Sequence, residues 1–301
     1  NGKKAIVFKK SANSTHPIQL PCNQCIGCRL DRSLSWAIRC VHEAQQHDQN
    51  IFITLTYSPE NLPWDGSLTK SHFQDFIRRL RYHFSERRIN PQTGRLKRYP
   101  TTTVRYFMCG EYGERLSRPH YHACLFGIDF PDKDPIKEEE GIILYNSPTL
   151  DRIWTHGYTS IGAVTFETAA YTARYITKKI TGEKKDEHYK TTCEHTGNLI
   201  TLEPEYTTMS LKPGIGATWL EKYQGDILSS DTAIHRGRRI KPPRYYDKLL
   251  ELNGADIDAI KMARKDRARK HLKDNTPERL EVREKVQLLK FKQLHRGLEK
   301  L

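Results

Sequence analysis

The chain has 301 residues and a formal net charge of +14, from 50 Lys and Arg against 36 Asp and Glu. That excess points to a polyanionic partner, nucleic acid first, while 37% hydrophobic residues still allow a core for one large domain or two smaller ones. No window is apolar for long enough to span a membrane, the first residues hold no secretory h-region, and seven cysteines in a chain of this size suit reduced thiols rather than a disulfide framework.

Residues 5–10 (AIVFKK) have the composition of a short strand. PCNQCIGC then sets Cys22, Cys25 and Cys28 at C-x2-C-x2-C spacing, before a helix predicted over about Arg29–His47 with an apolar stripe of Leu30, Leu34, Ile38 and Val41. Thiolates at this spacing suit a structural Zn ion or an iron–sulfur cluster, but three leave a site incomplete, so Cys40 or His42 downstream would have to complete it. Cys40 lies about 18 Å along an ideal helix from Cys28, so structural Zn and reduced thiols at a helix start both stay open. IFITLTY (Ile51–Tyr57) predicts a strand that stops at Ser58-Pro59. A second amphipathic helix is predicted from about Thr69 to Arg87, with Phe73, Phe76, Ile77, Leu80 and Phe84 inward and Arg78 and Arg81 among the cations around it.

RRINPQTGRLKRYP reads as a basic connector. Thr103–Gly113 and the returning HYHACLFG predict a hairpin, and the acidic DFPDKDPIKEEEG a surface loop. TLDRIWTHG predicts a short helix, YTSIGAV a strand, and TFETAAYTARYITKKITG a helix stopped by Gly182. Residues 183–216 are polar and irregular, and ATWLEKYQGDIL is helical. After HRGRRIKPPRYYD, where Tyr245 and Tyr246 suit either stacking on unpaired bases or packing on the core, the tail is helical and basic. From Lys261 to Leu301 it holds 14 Lys or Arg against 6 Asp or Glu, a composition suited to DNA phosphates. Asp231–Lys241 is the best dividing point. It separates residues 1–230, including a Cys-rich element at 20–48, from a basic helical extension at 231–301. The order strand, helix, hairpin, helix predicts an α+β fold with a central antiparallel sheet flanked by helices.

Side chains alternate across a strand, so His120 and His122 share one face and Tyr121 takes the other. Glu111, just before the hairpin turn on the partner strand, can reach the same face. Two imidazoles and a carboxylate with open positions suit a catalytic divalent ion, Mn or Mg first and Zn next. Downstream, Tyr171 and Tyr175 are four apart, hence on one helix face, and Lys178 falls on the same side. Arg174 and Lys179 add positive charge there, and Arg118 offers a DNA contact at the hairpin turn. A phenolate is a usable nucleophile toward phosphorus when a metal polarises the phosphate.

Together these parts resemble a known family. PHYHA matches the His-hydrophobe-His motif of the HUH endonucleases, with Tyr121 in the hydrophobic place. IFITLTY resembles the first motif of rolling-circle replication initiators, and YTARYITK the two-tyrosine third motif, Y-x3-Y-x2-K. The match is nearest to the replication initiation proteins of the Microviridae, gokushovirus type, to which PCNQCIGCRLDRSLSWAIR, CGEYGERLSRPHYHACLFG and MSLKPGIG are also similar. The resemblance covers roughly Cys22 to Gly216 and implies an HUH-like fold and a phage enzyme of the host bacterial cytoplasm. It implies a metal on His120, His122 and Glu111, and attack by Tyr171 or Tyr175 on single-stranded or extruded origin DNA, with Lys178 steadying the phosphate. The products would be a 5′-phosphotyrosine and a 3′-OH primer. The second tyrosine would allow rejoining of the circle, and the order of the two stays open. The sequence has no G-x-x-x-x-G-K-[ST] run, so helicase and polymerase are expected from the host. Two other readings stand beside this one: a non-catalytic protein that binds single-stranded nucleic acid, and an HUH relaxase or transposase with the same chemistry. Relaxases usually carry the tyrosine near the N-terminus, and no Tyr precedes Tyr57 here.

Overall fold

The computed structural model describes residues 25–113, 116–139, 141–174, 185–192 and 197–293. The strand expected over residues 5–10 lies outside them. The first helix, α1 (Ile26–Ala44), leads into β1 (Asn50–Tyr57) and then α2 (Lys70–His83). Two short strands, β2 (Ser85–Ile89) and β3 (Leu96–Pro100), precede the hairpin of β4 (Arg105–Tyr112) and β5 (Pro119–Phe126). β6 (Asp134–Glu139), β7 (Ile142–Asn146), α3 (Pro148–Trp154) and β8 (Gly157–Ala163) follow, and then α4, described over Phe166–Arg174. Beyond it come α5 (Lys185–His188), β9 (Lys190–Thr192), β10 (Leu199–Thr201) and β11 (Tyr206–Met209). The chain continues through α6 (Ala217–Ser230), β12 (Ala233–His235), β13 (Arg238–Ile240), α7 (Arg244–Leu252), α8 (Asp258–Lys270) and α9 (Pro277–Lys292).

The fold is α+β. Seven strands form one antiparallel sheet in the order β11-β4-β5-β1-β8-β7-β6. Strand alternation gives each of its faces a separate hydrophobic cluster. On one face Ile51, Ile53, Leu55, Tyr121, Ala123 and Leu125 pack under α2 and α3, around Phe76 and Trp154. On the other, Phe52, Phe107, Cys109, Cys124 and Phe126 pack under α1 and α4. Tyr121 is fully buried on the first face, where its hydroxyl donates to the Thr69 carbonyl at 2.9 Å and lies 2.8 Å from that of Tyr57.

Three stretches differ from the sequence expectation. Residues 183–216, expected to be irregular, hold α5 and the strands β9, β10 and β11, the last an edge strand of the main sheet. The acidic stretch after Asp129 is not a loop: its Asp134–Glu139 segment is the edge strand of the main sheet. An edge strand tolerates charge because water and not a neighbour covers its outer side, so its composition hid it. The basic connector is also a strand pair, β2 with β3, outside the main sheet. The preceding helix stops at His83, four residues earlier than the apolar stripe suggests, because Phe84 leaves helical geometry at φ −84°, ψ 45°.

A third cluster joins Trp219, Leu220 and Ile227 of α6 to Ala233, Tyr246, Leu250 and Ile257, and so spans residue 230. It docks on α1. His42 stacks on Trp219 with ring centroids 3.5 Å apart, and its Nδ1 lies 2.8 Å from the Tyr246 hydroxyl. Buried Glu43 accepts from the Gly216 N–H at 2.7 Å and pairs with Arg105. Gly216 sits at φ +79°, and a Cβ there would meet the Tyr246 hydroxyl at 2.6 Å, so only glycine admits α7 this closely. Tyr246 is fully buried, and the Arg39 guanidinium lies 3.8 Å over the ring of Tyr245. In this state both tyrosines pack on α1. Beyond them the tail is exposed: Arg264 ties α8 to Asp231 and Asp247, at 2.5 and 2.7 Å.

Candidate active site

The β4–β5 hairpin builds the candidate site. The register sets Glu111 directly opposite His120 and Cys109 opposite His122, so all three polar groups stand on the α1/α4 face. Gly113 N–H donates to the Arg118 carbonyl at 2.9 Å and closes the turn. A Cβ on Gly113 would come within 3.1 Å of His120 Cε1, so this glycine leaves room for the imidazole.

The ligand atoms of Glu111, His120 and His122 all lie within 4.8 Å of one another. Glu111 Oε1 is 3.2 Å from His120 Nε2 and 2.8 Å from His122 Nε2. Glu111 and His122 are buried, whereas His120 is 19% exposed and opens the group to the outside. His120 Nδ1 lies 3.0 Å from the Arg118 carbonyl, which only accepts, so Nδ1 carries the proton. In a neutral ring this turns the Nε2 lone pair toward Glu111. His122 Nδ1 is 3.0 Å from the Thr54 hydroxyl on β1. Such contacts from the outer ring nitrogen fix the orientation of metal-ligating histidines. Burial pushes the Glu111 carboxyl up, but hydrogen bonds and charge from His120 and His122 outweigh it and hold the group below the usual carboxylate range. When the His120 ring is neutral, its Nε2 lone pair meets this carboxylate and repels it unless a proton or a cation lies between them. The residues therefore fit a divalent ion, and the group can hold one.

α4 brings Tyr171 to this site. Thr165 and Thr168 cap its first turn reciprocally: Thr168 Oγ1 accepts from Thr165 N–H at 2.8 Å, and Thr165 Oγ1 from Thr168 N–H at 3.1 Å. The Tyr171 ring stands edge-on to His122, with centroids 5.1 Å apart, and is 4% exposed. Arg174 lies 5.8 Å from that ring. Tyr175, Lys178 and Lys179 lie outside the described residues.

The other sequence-named residues are dispersed. Arg118 donates to the Tyr57 carbonyl at 3.1 Å, beside the hairpin turn. Arg78 and Arg81 are on α2, over the opposite face of the sheet, where Arg78 pairs with Asp75 and Arg81 donates to the Val104 carbonyl at 3.3 Å. Cys25 is the N-cap of α1, exposed, and Cys28 is half-buried in its first turn. Cys22 lies outside the described residues. Cys40 is buried beside Cys124, and His42 is engaged with Trp219 and Tyr246, so neither stands near Cys25 and Cys28. The sequence does not single out Thr54 or Gly113. Their only signals are a hydroxyl on the inner face of a strand and a glycine at a hairpin end.

A family model described as Replication-associated protein ORF2/G2P matches residues 50–180, which include every residue of this site. The chain is similar to the replication-associated protein ORF2 of Spiroplasma virus 4, at 33% identity over 84% of this chain and 75% of the relative. It is similar to the replication-associated protein VP4 of Bdellovibrio phage phiMH2K, at 34% identity over 81% of this chain and 71% of the relative. Similarity to the replication-associated protein ORF4 of Chlamydia phage 1 is 26% over 77% of this chain and 53% of the relative. No solved structure matches.

Proposed function

The chain belongs to the phage replication-associated protein family, of the Microviridae type, and on that premise we propose that it starts rolling-circle replication as an HUH endonuclease. The observation that carries this reading is the convergence of Glu111, His120 and His122 beside Tyr171. These three residues hold a divalent cation, Mn or Mg, which supplies Lewis-acid polarisation of a phosphodiester. His120 and His122 are held in place from behind, by the Arg118 carbonyl and the Thr54 hydroxyl.

The substrate is single-stranded or extruded origin DNA. The Tyr171 or Tyr175 oxygen attacks the scissile phosphorus, forming the tyrosyl–phosphate bond as the bond to the 3′ oxygen breaks. The phenolic proton lost is balanced by the proton that the 3′ oxygen takes up. The bond energy stays in the 5′-phosphotyrosine, and the free 3′-OH primes synthesis. When the origin is regenerated the second tyrosine attacks it, and the released 3′-OH attacks the first phosphotyrosine, closing the circle as the bond to that tyrosine breaks and the tyrosine regains its proton. Arg174, Lys178, Lys179 and Arg118 hold phosphates near the site. Helicase and polymerase come from the host, in whose cytoplasm the protein works. Among the described residues no helix is long and apolar enough to cross a membrane.

The test is covalent capture. The protein is incubated with Mn and single-stranded oligonucleotides tiling its phage genome, and resolved on a denaturing gel. An adduct is expected that Tyr171→Phe with Tyr175→Phe abolishes and that His120→Ala removes. An adduct that survives the double variant overturns the nucleophile assignment. A protein that only binds DNA keeps its affinity and forms none.

A further inference from the structure

The β2–β3 ribbon is not explained by the site. Among the described residues its strands pair only with each other, off the end of β4 opposite Glu111. Residues 85–100 hold five cations, Arg87, Arg88, Arg95, Lys97 and Arg98, against the single carboxylate of Glu86. The register sets Arg87 opposite Arg98 and Arg88 opposite Lys97. Like charges directly opposite on a strand pair destabilise it, and an isolated two-stranded ribbon is marginal by itself. One carboxylate, Glu86 beside Arg88, offsets this only in part.

The ribbon is nevertheless firmly built. Asn90 Oδ1 accepts from the N–H of Gln92 at 2.9 Å and of Thr93 at 3.1 Å, and Gly94 N–H donates to the Asn90 carbonyl at 2.8 Å. At its base Arg98 donates to the Ser85 carbonyl at 2.8 Å and lies 3.7 Å over the ring of Tyr82. Next to the tip, Ile89 and Leu96 face each other, 69% and 61% exposed. The base opens on a groove of about 720 Å³ lined by Arg78, Arg79, Arg98 and Arg152 on the α2/α3 side.

We propose that this ribbon is a double-stranded DNA reader that enters the major groove beside the nick site. The inference rests on the reading of the partner as DNA. A two-stranded ribbon fits the major groove of B-form DNA, about 12 Å wide. Arg87, Arg88 and Lys97 then face phosphates, while Arg98 stays on Tyr82 at the base, where the groove continues the positive track along the backbone. Ile89 and Leu96 reach the groove floor, where thymine methyls are the apolar feature. The ribbon joins β4 at Arg105, six residues from Glu111, which is about 20 Å along a strand, or about six base pairs of duplex. Chemistry on a single strand and recognition of its flanking duplex are thereby separated in space.

Fluorescence anisotropy with three labelled probes of equal length tests this: a DNA duplex of about three helical turns, the same DNA single strand, and the RNA duplex. A-form RNA closes its major groove to side chains. The full chain carrying Arg87→Gln, Arg88→Gln and Lys97→Gln is compared with wild type and with an equal charge removal elsewhere, Lys190→Gln, Lys222→Gln and Lys248→Gln. The ribbon variant is expected to lose at least about tenfold in affinity for duplex DNA and about three units of its salt slope. Its loss on the other two probes, and the loss of the control variant on duplex DNA, should be under about threefold. An equal loss on all three probes, or a control that matches the ribbon variant, overturns the proposal. So does unchanged duplex affinity accompanied by altered sedimentation, which would make the ribbon a protein contact. Guanine-N7 methylation interference on the wild-type protein needs no folded variant: interference flanking the nick supports the proposal, and its absence overturns it. The anisotropy readouts involve no cleavage, so they stand or fall separately from the tyrosine chemistry.

Discussion

The two faces of the β1–β4–β5 layer are made by alternate residues of the same strands and are put to opposite uses. Leu55, Tyr121 and Ala123 face α2 and α3 and are fully buried among apolar groups. One residue away along each strand, Thr54, Glu111, His120 and His122 face α1 and α4; the last three converge on one point, and Thr54 stands behind His122. The first face gains by excluding water. The second keeps two imidazoles against a carboxylate, an arrangement that burial alone disfavours. The comparison teaches that a single-residue shift of register would exchange the roles of Tyr121 and His122 and destroy both faces together.

The sharpest way to break this comparison is at the carboxylate. Glu111→Gln keeps the shape and removes the charge that faces both histidines. Loss of metal-supplied stabilisation should lower adduct formation on the order of 10³-fold, several kcal/mol of barrier. Mn should raise the Tm of the wild-type protein, and that rise should vanish in the variant as well. If Mn still stabilises the variant, the ion does not sit on Glu111.

Tyr121→Ala attacks the other face. It removes a fully buried ring and its hydrogen bonds to Thr69. The expected cost is about 3–5 kcal/mol of unfolding free energy, read by urea denaturation. A loss of Mn affinity in the still-folded variant larger than the loss in Glu111→Gln would show that the two faces are not separable.

His42 tests the docking of the C-terminal cluster on α1. Burial first, and His235 second, push its pKa down to about 4. The unfolded chain therefore takes up the proton first as pH falls. The stabilisation is complete above about pH 6.5 and is lost toward pH 4, worth about 3 kcal/mol. His42→Phe keeps the stacking on Trp219 and cannot titrate, so its stability should change less than that of wild type across this window. Parallel pH profiles for the two proteins would remove His42 from the account.

Much of both faces is legible in the amino-acid sequence. The period of two places His120 with His122 and sets Tyr121 against them, and the hairpin offers Glu111 to the same face. The apolar stripe of α2 gives the helix that covers the other side. What stays hidden depends on contacts between distant residues or on composition that misleads. β2 and β3 are so charged that they read as a connector, and a strand pair outside the main sheet needs no apolar alternation. The edge strand β6 is masked in the same way by its acidic residues. The role of Thr54 becomes visible only with the β1–β5 register, which brings it to His122 across 68 positions of chain.

Thr54 therefore gives the finest test, since it belongs to the strand that both faces share. Thr54→Val keeps the size and the branching of the side chain and removes only the hydroxyl 3.0 Å from His122 Nδ1. The imidazole would lose the group that fixes its rotation, while Glu111 and His120 stay in place. Loss of such an outer contact typically weakens metal binding 10–100-fold, so Mn titration should register about that change. Thr54→Ser should recover most of it, because the hydroxyl returns. Stability should move by less than about 1 kcal/mol, since valine suits the strand as well as threonine does. A valine variant that binds Mn like wild type would mean that Phe52, Tyr171 and Glu111 hold His122 without help from Thr54, and that β1 supports the site only as a floor.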